Sequence, residues 1–246
     1  MDLGLEGKTA AVAAASAGLG LSSAKALAAA GVRVAICGRD NDRLQAAAAQ
    51  IQGDVFPLLA DVGTAEGAAA FIADADAHLG SVDIVIANCG GPPPGTFANT
   101  SIDAYRQAND VAMLGSIAMS RAAIPAMQAR GWGRVVAITS YGVRQPPPML
   151  IASATARAGL TAFLKITARE VARNGVTVNS VQPGAHDTAR LRSGNADMTK
   201  LAAGLPTGVI GDADDFGQAV AFLCSQQARF ITGAALLIDG GASLGV

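Results

Sequence analysis

The residues with the clearest chemical use lie near the amino terminus, in the run Ala13-Ala14-Ala15-Ser16-Ala17-Gly18-Leu19-Gly20. An apolar stretch precedes this run and an Ala-rich stretch of helical character follows it, which makes it a strand-to-helix junction. Bare N–H groups at such a junction, backed by the positive end of the helix, receive a diphosphate, and glycine lets the backbone approach it closely. The second apolar run ends in Gly38-Arg39, with no carboxylate where one would bind a ribose 2′-hydroxyl. A guanidinium pairs there with a 2′-phosphate, so Arg39 favours NADP(H) over NAD(H). Of the two histidines, His186 follows a Pro-Gly pair and has an intrinsic titration range suited to passing a proton, while His78 reads as a solvated residue near a helix end. Cys37, Cys89 and Cys224 are far apart and lack CxxC spacing, so neither a disulfide framework nor a metal site is expected. No base is visible beside Cys89 or Ser140, which argues against nucleophilic catalysis.

The elements that must position these residues follow from the apolar pattern. Short apolar runs at 9–15, 32–37, 55–59, 82–87, 134–139, 176–181 and 234–238 read as strands. Between them, stretches at about 19–30, 40–52, 64–79, 101–130, 153–173 and 212–224 read as helices. That alternation predicts a single α/β domain over 1–246, a Rossmann-type, doubly wound, seven-stranded parallel sheet in three αβα layers. Ser101 and Asp212 with Asp215 suit helix starts, and Gly31 and Gly175 suit helix stops. The irregular stretches at 90–95, 145–148 and 183–210 each follow a strand, so they line the ligand crevice, with a substrate loop at about 184–210. Prolines 92–94 and 146–148 stiffen two of these loops and read as pocket walls rather than polyproline ligands.

The chain resembles the short-chain dehydrogenase/reductase family, and the resemblance runs from Lys8 to Gly241 in the expected order. Gly18-Leu19-Gly20 matches the end of its Thr-Gly-x-x-x-Gly-Ile-Gly pattern, whereas Ala13 and Ala14 replace the Thr and the first Gly. Asp61-Val62 looks like its adenine-contacting pair, and Ala87-Asn88-Cys89-Gly90 looks like its Asn-Asn-Ala-Gly. Pro183-Gly184 with Thr188 resembles the loop that contacts the nicotinamide end, and Ile231-Thr232-Gly233 with Asp239-Gly240-Gly241 resembles the carboxyl-terminal signature. The resemblance implies cofactor contacts from Ser16, Gly18, Leu19, Gly20, Arg39, Asp61, Val62, Asn88, Gly90, Arg157, Pro183, Gly184 and Thr188.

The family's catalytic signature is a Ser, a Tyr thirteen residues on and a Lys four further. Anchored on Ile138-Thr139-Ser140, it falls here on Ser140, Ser153 and Arg157. The family's helix Asn falls on Ala112, with Asn109 one turn earlier. A serine hydroxyl is a far poorer acid than a Tyr beside a Lys, so the usual proton donor is gone. Ser153 reads either as a substrate contact or as a helix N-cap. His186, near the nicotinamide end, is the candidate replacement acid, and Tyr141 reaches the site only if the chain turns beside Ser140. The resemblance therefore implies an NADP(H)-dependent oxidoreductase acting on a small carbonyl or alcohol with a non-standard proton donor. The alternative is a dinucleotide-binding relative that no longer turns over, a sensor or partner subunit.

A formal charge of −1 with scattered Lys and Arg leaves no footprint for nucleic acid or an anionic membrane. Charged residues interrupt every long apolar stretch, so no membrane span is expected, and Asp2 and Glu6 spoil a secretory leader. A cytoplasmic protein with a small-molecule partner fits this composition. At 51% hydrophobic residues the chain suits burial between subunits, and the resemblance implies a homo-oligomer, tetramer or dimer, with the helices at 101–130 and 153–173 at its interfaces.

Overall fold

The computed structural model describes residues 2–194 and 197–245. Along the chain run β1 (Thr9–Val12), α1 (Gly18–Ala29), β2 (Arg33–Gly38), α2 (Asn41–Ala48), β3 (Val55–Leu59), α3 (Ala65–Leu79), β4 (Ile84–Ala87) and α4 (Ile102–Asn109). They are followed by α5 (Gly115–Arg130), β5 (Gly133–Ile138), α6 (Ile151–Val171), β6 (Val176–Pro183), α7 (Ala189–Ser193), α8 (Met198–Ala203), α9 (Ala213–Cys224) and β7 (Ala235–Ile238). The seven strands form one parallel sheet in the order β3-β2-β1-β4-β5-β6-β7, so the chain reverses direction across the sheet between β1 and β4. That reversal point is where an open α/β sheet leaves a crevice at its carboxyl ends.

Strand residues alternate between two apolar layers, as the pleat requires. Val12, Ile36, Ile86 and Val136 pack with Leu27 of α1 and Phe216 of α9. Ala11, Ala35, Val85 and Val135 pack on the other face with Phe71 of α3, Met127 of α5 and Leu164 of α6. Both faces are therefore covered, and the strands carry apolar residues on each.

Three expectations from sequence shift. The first strand stops at Val12 rather than at 15, because the chain turns sharply at Ala14. The stretch at 101–130 is two helices joined by one π-helical turn over Asp110–Leu114. Gly115 follows that turn at a point where a Cβ would run into the Val62 carbonyl oxygen, so the helix widens where it passes the β3–α3 loop. The loop at 184–210 carries two short helices, each started by a side-chain cap: Thr188 for α7 and Asp197 for α8. Residues 195 and 196 of that loop lie outside the described residues.

Candidate active site

The start of α1 differs from most other helix starts in the molecule. Helices α2, α3, α4 and α9 have Asp40, Thr64, Ser101 and Asp212 accepting hydrogen bonds from their first turns. Helix α1 has Ala17 at that position, no side-chain cap and no acidic residue in its first turn. The first N–H groups of a helix have no partner within it, so those of Gly18, Leu19 and Gly20 are free to meet an anion. The turn is held from behind. Asn88 Nδ2 donates to the Ala14 carbonyl oxygen at 3.2 Å, and the Ala14 N–H donates to Cys37 Sγ at 3.4 Å. A Cβ on Gly20 would sit 2.7 Å from both the Ala14 oxygen and Asn88 Nδ2, so only glycine fits there. Gly18 has φ +58°, and a Cβ added to it would meet the Thr188 methyl at 3.5 Å. The α7 loop thus arches over the glycine turn. These are features a diphosphate needs, and the residues present fit a dinucleotide.

Towards the β2 side, a Cβ on Gly38 would lie 3.2 Å from Ser16 Oγ, which puts the Ser16 hydroxyl against the end of β2. Arg39, next in the chain, is exposed. Asp61 accepts from the Gly63 N–H at 2.9 Å and Val62 is buried at the end of β3. Gly90, after β4, is exposed, and a Cβ on it would meet nothing within 4 Å, so the crevice is open there. Pro183 ends β6, and Gly184 presses on the Asp239 backbone, where a Cβ would come within 2.8 Å.

At the other end, Arg157 on α6 is buried, at 8% exposure, and ties three elements together. Its Nη1 donates to the Ile138 carbonyl oxygen at the end of β5 at 2.8 Å, its Nη2 to Cys89 Sγ after β4 at 3.7 Å, and its Nε to Ser153 Oγ at 3.3 Å. Ser153 is therefore not the N-cap of α6, whose cap residue is Leu150 with no side-chain bond. It sits one turn from Arg157 and accepts from it. Ser140 Oγ accepts from the Gly142 N–H at 3.0 Å, and the chain does turn there, in a 3₁₀ turn over Tyr141–Val143. Ala112 is wholly buried among Ala108, Ala152 and Ala156, so no polar side chain fills the family's helix Asn position.

His186 lies elsewhere than its loop position suggests. The residue is 7% exposed, and its ring packs edge-on against Phe216 of α9, centroids 5.1 Å apart. Burial lowers its pKa from 6.5, against an opposing hydrogen bond from its ring to the Gly184 carbonyl. It is a core group beneath the loop. Sequence reasoning missed the loop's other tie: Arg190 Nη2 donates to the Gly91 and Pro92 carbonyls at 3.2 and 3.5 Å. With Thr188 over Gly18, that bond carries α7 across the crevice from one lip to the other. A basic residue two positions after the cap of a helix in a substrate loop was the only signal, and it is a weak one.

Comparison with known proteins accounts for this arrangement. The family model described as enoyl-(acyl carrier protein) reductase matches residues 13–243. An L-rhamnose 1-dehydrogenase (NAD(P)(+)) of Sphingomonas sp. (strain SKA58) is 31% identical over 252 residues, covering 96% of each chain. Among solved structures, L-sorbose reductase of Gluconobacter frateurii, complexed with NADPH and L-sorbose, superimposes with a TM-score of 0.93 over all of both chains at 26% identity. A short-chain dehydrogenase/reductase family protein gives a TM-score of 0.88 at 35% identity over 98% of each chain. The chain belongs to the short-chain dehydrogenase/reductase family. Within it, the chain is an NAD(P)-dependent oxidoreductase.

Proposed function

We propose that the protein is an NADP(H)-dependent oxidoreductase that moves a hydride to or from a small carbonyl or alcohol substrate without a tyrosine proton donor. The observation that carries this reading is the uncapped start of α1 beside Ser16 and Arg39. The N–H groups of Gly18, Leu19 and Gly20, with the Thr188 hydroxyl, hold the diphosphate. Ser16 and Arg39 hold the 2′-phosphate, and Asp61 and Val62 border the adenine. Asn88, Gly90, Pro183 and Gly184 frame the nicotinamide end, Arg157 donates to the ribose, and Ser140 orients the substrate. When bound, the dinucleotide supplies or takes the hydride. The L-rhamnose and L-sorbose enzymes support a hydroxylated or carbonyl substrate of small size. His186 is packed against Phe216, so the proton passes through water.

Fluorescence titration tests the cofactor preference. NADPH should bind more tightly than NADH, and R39A should erase the difference by removing about 1–3 kcal/mol of charge-assisted bonding from NADPH alone. Equal affinities in the unaltered protein would sink the Arg39 assignment. Following NADPH oxidation across a carbonyl panel separates a working enzyme from the silent dinucleotide binder, which would bind and never oxidise. We also read the protein as a cytoplasmic homo-oligomer, supported by its free thiols and by Ile102 and Ile166, exposed on α4 and α6. Light scattering should return a mass of two or four chains.

A further inference from the structure

We infer that the cleft between α6 and the outer strands β6 and β7 is a binding site for a small carboxylate with an apolar body, separate from the dinucleotide crevice. The cleft has a volume of about 260 Å³, below the range of pockets that take drug-sized ligands, so its occupant is small. The crevice lies over β1 and β4, and β5 stands between β4 and β6 in the sheet. None of the residues assigned above to the dinucleotide lines the cleft. Leu164 of α6 and Val178 of β6 are buried and give it an apolar floor, with Ala235 of β7 beside them. Arg144, Lys165 and Ser180 bring polar atoms to the same space.

Each of these three side chains has donors to spare. Ser180 is 1% exposed, and its hydroxyl makes no hydrogen bond among the described residues. A buried hydroxyl without a partner costs free energy that a ligand returns. Lys165 Nζ donates to the Gly233 carbonyl oxygen at 2.9 Å, which uses one of its three N–H groups. Gly233 has φ +67°, and a Cβ on it would come within 3.1 Å of Lys165 Cδ, so glycine there lets the lysine stem lie close to the backbone. Arg144 Nε donates to Gln182 Oε1 at 3.2 Å and its Nη2 to the Ala235 carbonyl oxygen at 3.1 Å, so these two bonds leave three of its five N–H groups. All of these partners are neutral. Among the described residues no ion pair includes Arg144 or Lys165, and no carboxylate lines the cleft. Two cations on one cleft repel each other, and an anion between them removes that cost. Inorganic phosphate would meet the charges but gain nothing from Leu164 and Val178, and a neutral hydrocarbon would do the reverse. A carboxylate on an aliphatic or aromatic body meets both, and its planar pair of oxygens suits the edge of a guanidinium.

Methyl-labelled protein followed by NMR tests the site, with benzoate as the probe. Benzoate should shift the methyl signals of Leu164, Val178 and Ala235 saturably, and excess NADPH should leave its affinity unchanged. Benzamide has the same shape without the charge, and inorganic phosphate has the charge without the apolar body; each should bind at least about tenfold more weakly. K165Q and R144Q should each weaken benzoate by about tenfold and leave benzamide alone, and S180A should cost about threefold. Lys165 is exposed, so K165Q leaves the fold intact and carries the test if R144Q does not fold, while K165R should keep most of the affinity. Phosphate bound as tightly as benzoate would overturn the class of ligand. Methyl signals that stay still, benzoate displaced by NADPH, or an affinity that K165Q leaves untouched would overturn the site itself.

Discussion

Ala14 is the non-glycine residue with positive φ among the described residues, at +47°, and it stands where the family pattern has glycine. An L-residue there costs roughly 1–2 kcal/mol, part of which glycine would return as extra freedom in the unfolded chain. A14G should therefore stabilise the protein by roughly 0.5–1 kcal/mol in urea titration. Destabilisation by that change would mean the turn is unstrained. His186 gives a second expectation at this scale. Its folded pKa lies below 6.5, so below that pH the unfolded chain binds more protons and stability falls. The contribution is whole above 6.5 and is lost as the pH drops from there towards the folded value. Thermal melts should show a melting temperature that declines between pH 7 and pH 5.5, with a shallower decline in H186L. At this scale sequence was a partial guide. The glycines, Arg39 and Ser140 could be placed from spacing, but the direction of a loop side chain could not. His186 turns inward because Gly211 and Phe216 leave room for its ring, a fact of packing between residues far apart in the chain.

Helices α1 and α9 meet face to face through Gly217, where a Cβ would enter the backbone of Ser22. This contact sets the position of the α1 start and, through it, of the anion-binding turn. G217A should cost about 1–3 kcal/mol of stability by overpacking. It should also weaken dinucleotide affinity, whereas a purely local effect would leave affinity alone; calorimetry separates the two. Strands and long helices were legible because their apolar period repeats over many residues. The π turn at Asp110–Leu114 was not, since one extra residue in a helix leaves no mark on so short a window. The two helices of the substrate loop were hidden for the same reason: at five and six residues they show no period, and their caps at Thr188 and Asp197 are common turn residues.

Across the whole molecule the order of strands could be expected from the alternation of elements, because parallel crossovers admit few topologies. The two margins of the sheet, however, are unlike in a way that the pattern conceals. On β3 the Ala60 N–H donates to Gly38, so alternate residues face β2 and the nitrogen of Pro57 faces outward. Proline thus costs the ladder nothing and leaves that outer margin short of a donor. The other margin, β7, carries no proline; Arg144 Nη2 donates to the Ala235 carbonyl there at 3.1 Å, and Leu236 on it is 41% exposed. A sheet with one blunted side and one open side can meet a twin across its open side and close as a pair. A pair closed in that way would have no second open margin from which a ribbon of molecules could lengthen.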